Sequence, residues 1–297
     1  MTHALFDRRL IALRKHRAMR IDTGGRGFLA ARVAEDLGDR LEAVKHGFGR
    51  ALALGGPDGL ARRLIEASGK AETIIAADLL VGERSRPGDL VADDECLPFA
   101  PESFDLAVSL MALNELNDVP GALMQIASTL KPDGLFLAAF PGGETLTELR
   151  QALAMAEAGL TGGASPRVAP MIDVREAGAL MQRAGFALPV ADTDRLTVRY
   201  DTLFDLIRDL REMGLGNSLL ARNATPPPRA LFLEAAARYA ENFSDADGRI
   251  RATFEIVSLS GWKPHASQPR PLRPGSARVS LADVLGKELD GRQADGD

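Results

Sequence analysis

Short apolar runs alternate with helix-like stretches from Ala51 to Phe140, and this alternation limits what the chain can fold into more than anything else in it. Ala51 to Leu54 ends at Gly55-Gly56-Pro57, with a helical pattern from Leu60 to Ala67 behind it. Thr73 to Ala77 ends at Asp78, Leu90 to Ala92 ends at Asp93, and Phe104 to Leu110 is a further run. A helix follows, for which Asp118 is a cap, Pro120 suits the first turn, and Val119, Leu123, Ile126 and Leu130 share one face. Lys131-Pro132-Asp133-Gly134 stops it, and Leu135 to Phe140 is the next strand. Strands and helices at this spacing make βαβ units, hence a parallel sheet with helices packed on it.

The flanks read differently. Leu5 to about Val44 is helical, broken by glycines at 24, 25 and 27. Beyond Gly142-Gly143, helices are predicted over Glu144 to Ala158, Val174 to Ala184, Leu203 to Met213 and Pro228 to Asn242. Leu188 to Val198 and Phe254 to Gly261 are extended. The reading divides the chain into an N-terminal helical extension (1–45), a ligand-binding core (46–141) and insertions with the final strands (142–285). A polar tail (286–297) reads as disordered.

Composition narrows the chemistry. With 36 Lys+Arg against 41 Asp+Glu the net charge is −5, so nothing general draws the chain to nucleic acid or anionic lipid. No apolar run approaches the ~20 residues that cross a bilayer. Cys96 is the single cysteine, which excludes an intrachain disulfide, and is expected as a small buried residue. The four histidines show no metal-ligand spacing, and no metal is expected. Leu5 to Arg17 is basic and apolar by turns, as a transit peptide is, but lacks the apolar core of a secretory signal. It reads as an amphipathic helix of the folded protein, with the cytoplasm as the default compartment.

In an open α/β sheet, ligands bind beyond the carboxyl ends of the strands. The residues there are Gly55, Gly56 and Gly59, then Asp78, then Asp93. Glycines admit close approach of a ligand to the backbone. A carboxylate after the second strand can accept from ribose hydroxyls, and one after the third from an exocyclic amine. Together they describe an adenosine site without a phosphate cradle. The plainer alternative is that the glycines only turn the chain and the two aspartates only cap helices.

Three stretches carry a family resemblance: Asp93-Asp94-Glu95-Cys96-Leu97-Pro98-Phe99, Ser103-Phe104-Asp105-Leu106-Ala107-Val108-Ser109 and Leu130-Lys131-Pro132-Asp133-Gly134. In this order and spacing they resemble the core of class I S-adenosylmethionine methyltransferases. The branch they resemble holds the malonyl-carrier-protein methyltransferase of biotin synthesis. Phe6-Asp7-Arg8-Arg9-Leu10, Gly142-Gly143-Glu144-Thr145-Leu146, Ser165-Pro166-Arg167, Asp209-Leu210-Arg211 and Gly261-Trp262-Lys263-Pro264 narrow it further. They resemble the bacterial relatives of a mitochondrial complex I assembly factor that hydroxylates protein arginine.

The resemblance implies a Rossmann-like, mostly parallel seven-stranded sheet and S-adenosylmethionine as cofactor. Helical insertions would cap the cofactor edge, and the substrate would be protein or carrier-bound, with a respiratory complex I subunit as one candidate. Asp78 and Asp93 match the ribose and adenine positions; Gly55, Gly56, Asp58, Gly59 and Asp94 complete the expected cofactor contacts. Two departures stand out. Ala53 replaces the acidic residue that opens the family's D-x-G-x-G-x-G motif, and Pro57 replaces its middle glycine. Proline removes an N–H and fixes φ. Loss of a charge-assisted contact costs on the order of 1.5–3 kcal/mol, roughly ten- to a hundredfold in affinity.

Glu115 stands beside the expected methyl position and is the one candidate catalytic residue, unless it is a solvated or capping carboxylate. Arg150, Arg167 and Arg211 are either anion-binding or ordinary ion-pair residues; Trp262 reads as core. The leading expectation is methyl transfer, which needs positioning more than acid–base groups. Complex I assembly with arginine hydroxylation follows only from the resemblance, and its oxygen chemistry calls for a redox cofactor with no ligand set visible here. A non-catalytic binding protein with a degenerate site is the third reading.

Overall fold

The computed structural model describes residues 4–20, 27–80, 86, 88–223 and 225–269. The elements run α1 (Arg8–Met19), α2 (Phe28–Glu42), β1 (Phe48–Gly55), α3 (Leu60–Ser68), β2 (Ala71–Asp78), β3 (Leu90–Val91) and β4 (Phe104–Leu110). Then come α4 (Val119–Thr129), β5 (Leu130–Pro141), α5 (Thr147–Thr161), α6 (Val174–Arg183) and β6 (Ala187–Tyr200). The chain closes with α7 (Leu203–Glu212), α8 (Arg229–Phe243) and β7 (Ile250–Trp262). All lie in one compact unit, Met1–Pro264. Of the second unit, His265–Asp297, the described part is 265–269. The glycines at 24 and 25, the end of the insertion region and the tail at 286–297 lie outside the described residues.

One seven-stranded sheet forms, in the order β3-β2-β1-β4-β5-β7-β6. β1, β2, β3, β4 and β5 pair in parallel, and β7 is antiparallel to both β5 and β6. The strand period of two sorts the side chains by face. Ala51 and Ala53 of β1 join the core that α2, α3, α5, α7 and α8 cover, while Leu52 and Leu54 join the one beneath α4 and α6. β5 does the same with Leu135, Leu137 and Ala139 against Phe136, Ala138 and Phe140. Strands covered on both faces read as unbroken apolar runs, which is why the sequence showed them so clearly.

Local signals hold where they are chemical. Asp118 accepts from the Gly121 N–H at 2.8 Å and caps α4, as expected. Two details differ. β5 begins at Leu130 rather than Leu135, because Leu130 pairs with Phe104 before a bulge carries the chain past Lys131–Gly134 to pair Leu135 with Leu106. Cys96, expected inside, is exposed: its N–H closes a turn onto the Asp93 carbonyl at 2.8 Å, and that turn holds it at the surface.

Candidate functional site

The loops at the carboxyl ends of β1, β2, β3 and β4 meet at the middle of the sheet, where strand order reverses between β1 and β4. After β1, the chain turns through Gly55 and Gly56, both at positive φ, into a one-turn 3-10 helix, Pro57–Gly59. A Cβ at Gly55 would lie 2.7 Å from Ala112 Cβ and 2.8 Å from the Leu110 carbonyl, so this glycine is required by the close packing of β1 on the β4 loop. Gly59 is the opposite case: at φ +68 its missing side chain faces open space at the start of α3. Asp58 pairs with Arg63 across 3.7 Å.

Helix α1 lies across these loops, and its seat is specific. The Leu5 and Phe6 N–H groups both donate to Asn117 Oδ1 at 2.7 Å, and Phe6 forms a bridge with Leu219. Asp7 caps the helix by accepting from the Leu10 N–H at 3.0 Å and pairs with Arg222 at 3.2 Å. Phe6, Ile11 and Leu219 form a small core of their own. The helix thereby delivers two cations to the site. Arg8 spans both oxygens of Asp93, with Nη2–Oδ1 at 2.5 Å and Nε–Oδ2 at 3.5 Å, and donates through Nη1 to the Glu115 carbonyl at 3.1 Å. Lys15 Nζ lies 2.8 Å from Glu115 Oε2.

The electrostatics follow from that seat. Burial weighs most against the Lys15 ammonium, but Glu115, Asp78 and Asp94 together outweigh it and raise its pKa. Burial pushes the Asp78 carboxyl upward against the pull of Lys15 and the Leu79 N–H. Asp94 is pushed up to about 7 by burial and by the neighbouring Asp78 charge. Asp93 goes the other way: partial burial opposes its charge, and the Arg8 hydrogen bond and charge with the Glu95 N–H more than reverse this. Around this seat, Asp94 Oδ1 and Asn114 Oδ1 are buried with no hydrogen-bond partner among the described residues.

Glu115 is therefore neither solvated nor a helix cap. It is buried in the short 3-10 turn Leu113–Glu115 after β4 and opens on a cleft of about 100 Å³. Asn114, Thr145 and Arg167 line the same cleft. Arg167 is committed elsewhere, forked onto Glu157 at 2.6 and 3.1 Å. Arg150 donates to the Ala169 carbonyl at 3.2 Å, and Arg211 lines a separate groove between α7 and α8. Trp262 is half-buried against His46 and the core. Among the described residues no group of three or more His, Cys, Asp or Glu is arranged to hold a metal ion. Sequence reasoning missed Lys15, Arg8 and Asn117. Arg8 stood in one of the resembling stretches, but nothing local shows that α1 turns Lys15 inward.

This strand order, with an antiparallel β7 and the acidic residues at the carboxyl edge, defines a Rossmann-like fold of the class I methyltransferase kind. A family model described as a methyltransferase domain matches residues 26–189. The Rattus norvegicus protein named arginine-hydroxylase NDUFAF5, mitochondrial, is 40% identical over 287 residues, 94% of this chain and 83% of its own length. The malonyl-(acyl-carrier protein) O-methyltransferase of Laribacter hongkongensis is 31% identical over 265 residues, 83% of this chain and 86% of its own. The crystal structure of YcgJ from Bacillus subtilis shares the fold, with a TM-score of 0.53 at 17% identity over 78% of this chain and 99% of that one. The chain belongs to the S-adenosylmethionine-dependent methyltransferase family.

The residues present fit the adenosine part of that cofactor. Asp78 ends β2, an unpartnered buried oxygen on Asp94 lies near it, and Gly59 leaves open space beside the turn. The methionine end is altered: Ala53 is buried in β1 where the family's motif has a carboxylate, and Pro57 opens the 3-10 turn. No described helix is long and apolar enough to cross a membrane.

Proposed function

We propose that this chain binds S-adenosylmethionine over the carboxyl ends of β1, β2 and β4 and transfers its methyl group to a protein or carrier-bound acceptor lying in the Glu115 cleft. The observation that carries the reading is a pair of acids: half-buried Asp78 at the end of β2, and buried Asp94 with a free oxygen beside it. Bound there, the cofactor supplies an electrophilic methyl on a sulfonium. Asp78 accepts from ribose hydroxyls, and Asp94, together with Asp93 where Arg8 leaves room, faces an exocyclic amine. Gly55 and Gly56 shape the turn, and Gly59 lets a ligand approach the backbone. The low-dielectric cleft between Glu115 and Thr145 aligns the acceptor for in-line attack. An acceptor that loses a proton gives it to Glu115, whose partner Lys15 then holds the charge balance; a carboxylate acceptor needs no base.

A second reading is favoured by one finding, the 40% identity over nearly the whole chain to a protein named an arginine-hydroxylase. In that case the partner is a protein arginine, on a respiratory complex I subunit by the resemblance, and the oxygen comes from an oxidant with a redox cofactor. Titration calorimetry tests the first reading. Micromolar S-adenosylmethionine binding is expected in the wild type, weakened at least tenfold in Asp78→Ala, a loss of about 1.4 kcal/mol. No binding at millimolar ligand overturns it. Mass spectrometry of candidate protein substrates then separates a gained methyl from a gained oxygen.

A further inference from the structure

Helix α7 carries two stripes. Leu203, Leu206 and Leu210 are buried in the core, whereas Phe204, Ile207, Arg208 and Arg211 follow one another along another side at the spacing of a helix face. With Phe232 of α8 these four line a groove of about 360 Å³. The groove is open: Phe204 is 44% exposed and the Arg208 side chain 67%. Its lining among the described residues is three apolar side chains and two arginines, with no acid. The acids of α7 are turned to other partners. Asp209 accepts from the Tyr200 hydroxyl at 2.5 Å, and Asp205 accepts from Thr202. Asp205 also pairs with Arg208 at 3.0 Å, an exposed pair of the kind that holds its arginine weakly. The Arg211 side chain has no hydrogen bond or ion pair among the described residues. Beyond α7 the basic character continues: Arg14 donates to Ser218 Oγ at 3.3 Å, and Arg222 to the Leu219 carbonyl at 2.8 Å. A chain of net charge −5 thus gathers cations here.

We propose that the α7–α8 groove docks an acidic amphipathic helix of a partner protein. The apolar face of that helix fills the space between Phe204, Ile207 and Phe232, and its carboxylates meet Arg208 and Arg211. A small ligand fits the observations less well, because so open a groove leaves much of its surface in water. A bilayer is flat and does not fill a concave lining. The position gives the contact a use. Leu210 lines the Glu115 cleft and its neighbour Arg211 lines the groove, so the two flank one helix, about 10–12 Å across with its side chains. A protein held in the groove brings its adjoining segment, or a group that it carries, to the cleft. That the docked protein bears the acceptor rests on the transfer reading above; the docking surface itself does not.

The test is fluorescence anisotropy of the full chain with a labelled helical peptide of about five turns. One face of the peptide is leucine and the rest alanine and glutamate, and a counterpart carries lysine for glutamate. The acidic peptide is expected to bind, more weakly as salt rises, and the lysine peptide to be rejected. Phe204→Ala, and Arg208→Glu combined with Arg211→Glu, are each expected to lose about tenfold or more in affinity. No binding of the acidic peptide, equal binding of both peptides, or variants that bind like the wild type overturns the proposal. Adherence to phosphatidylglycerol vesicles in place of the peptide also overturns it, as does a wild-type dimer that the variants break apart. If the variants do not fold, the wild type decides: affinity that falls with salt and excludes the lysine peptide supports the groove, and affinity indifferent to salt overturns it. Calorimetry with S-adenosylmethionine is read separately. A wild type that binds the peptide and not the cofactor keeps the groove and overturns the transfer reading, and one that binds only the cofactor does the reverse.

Discussion

At the scale of single residues, the site is built from charges whose states are set by burial as much as by partners. Asp94 has its pKa pushed to about 7 against 3.8 for an ordinary aspartate. Because the folded chain holds this proton and the unfolded chain does not, the folded state binds more protons between those two values. Stability therefore declines as pH rises from about 4 to about 7 and levels off above. Asp94→Asn removes the titration. Its melting temperature is expected to vary less over that range than the wild type's, and the variant to be the more stable of the two at pH 8, by up to about 4 kcal/mol. A variant with the wild-type slope contradicts this account of Asp94. Asp78 and Asp93 were legible in the sequence because each closes an apolar run, whereas Asp94 came only from the resemblance. Lys15 was not legible: the amphipathic face expected for this helix is nearly absent, with only Ile11 and Ala18 buried, so a basic residue on it gives no sign of which way it faces.

At the scale of elements, α1 is seated by polar contacts more than by packing, its own core being Phe6, Ile11 and Leu219. At its entry Asn117 receives two N–H groups at 2.7 Å, beside backbone hydrogen bonds with Ser218 and Leu220. Asn117→Ala leaves the Phe6 N–H buried without that acceptor, which costs about 1–3 kcal/mol. The expected result is faster trypsin cleavage at Arg14 and Arg17 with the sheet still protected. Cleavage at the wild-type rate would mean that the contact with Leu219 and the Arg8–Asp93 pair suffice. The other elements were read correctly in kind because their signals are local. Proline, glycine and aspartate punctuate them, and period-two or 3.6-residue patterns fill them. The start of β5 was misplaced because a bulge is a property of the pair, which only the register with β4 reveals.

At the scale of the whole molecule, the mostly parallel seven-stranded sheet was legible from the alternation and the family resemblance, whereas the long-range ties were not. Glu157 on α5 shows the difference. Arg167 and Ser165, which lie in the loop beyond α5, hold its carboxyl down at about 2 against an ordinary 4.5. That stabilisation is complete above pH 4.5 and is lost as pH falls toward 2. Glu157→Gln is expected to cost about 2 kcal/mol at neutral pH, and its denaturation midpoint to converge on the wild type's in acid. A constant difference across pH would assign the cost to packing instead. The turn that brings Cys96 to the surface has a further consequence. It joins this thiol to the Asp93 loop that grips Arg8, in a chain with no second cysteine. A maleimide fluorophore attached there labels every molecule at one place, beside the Arg8–Asp93 pair that seats α1.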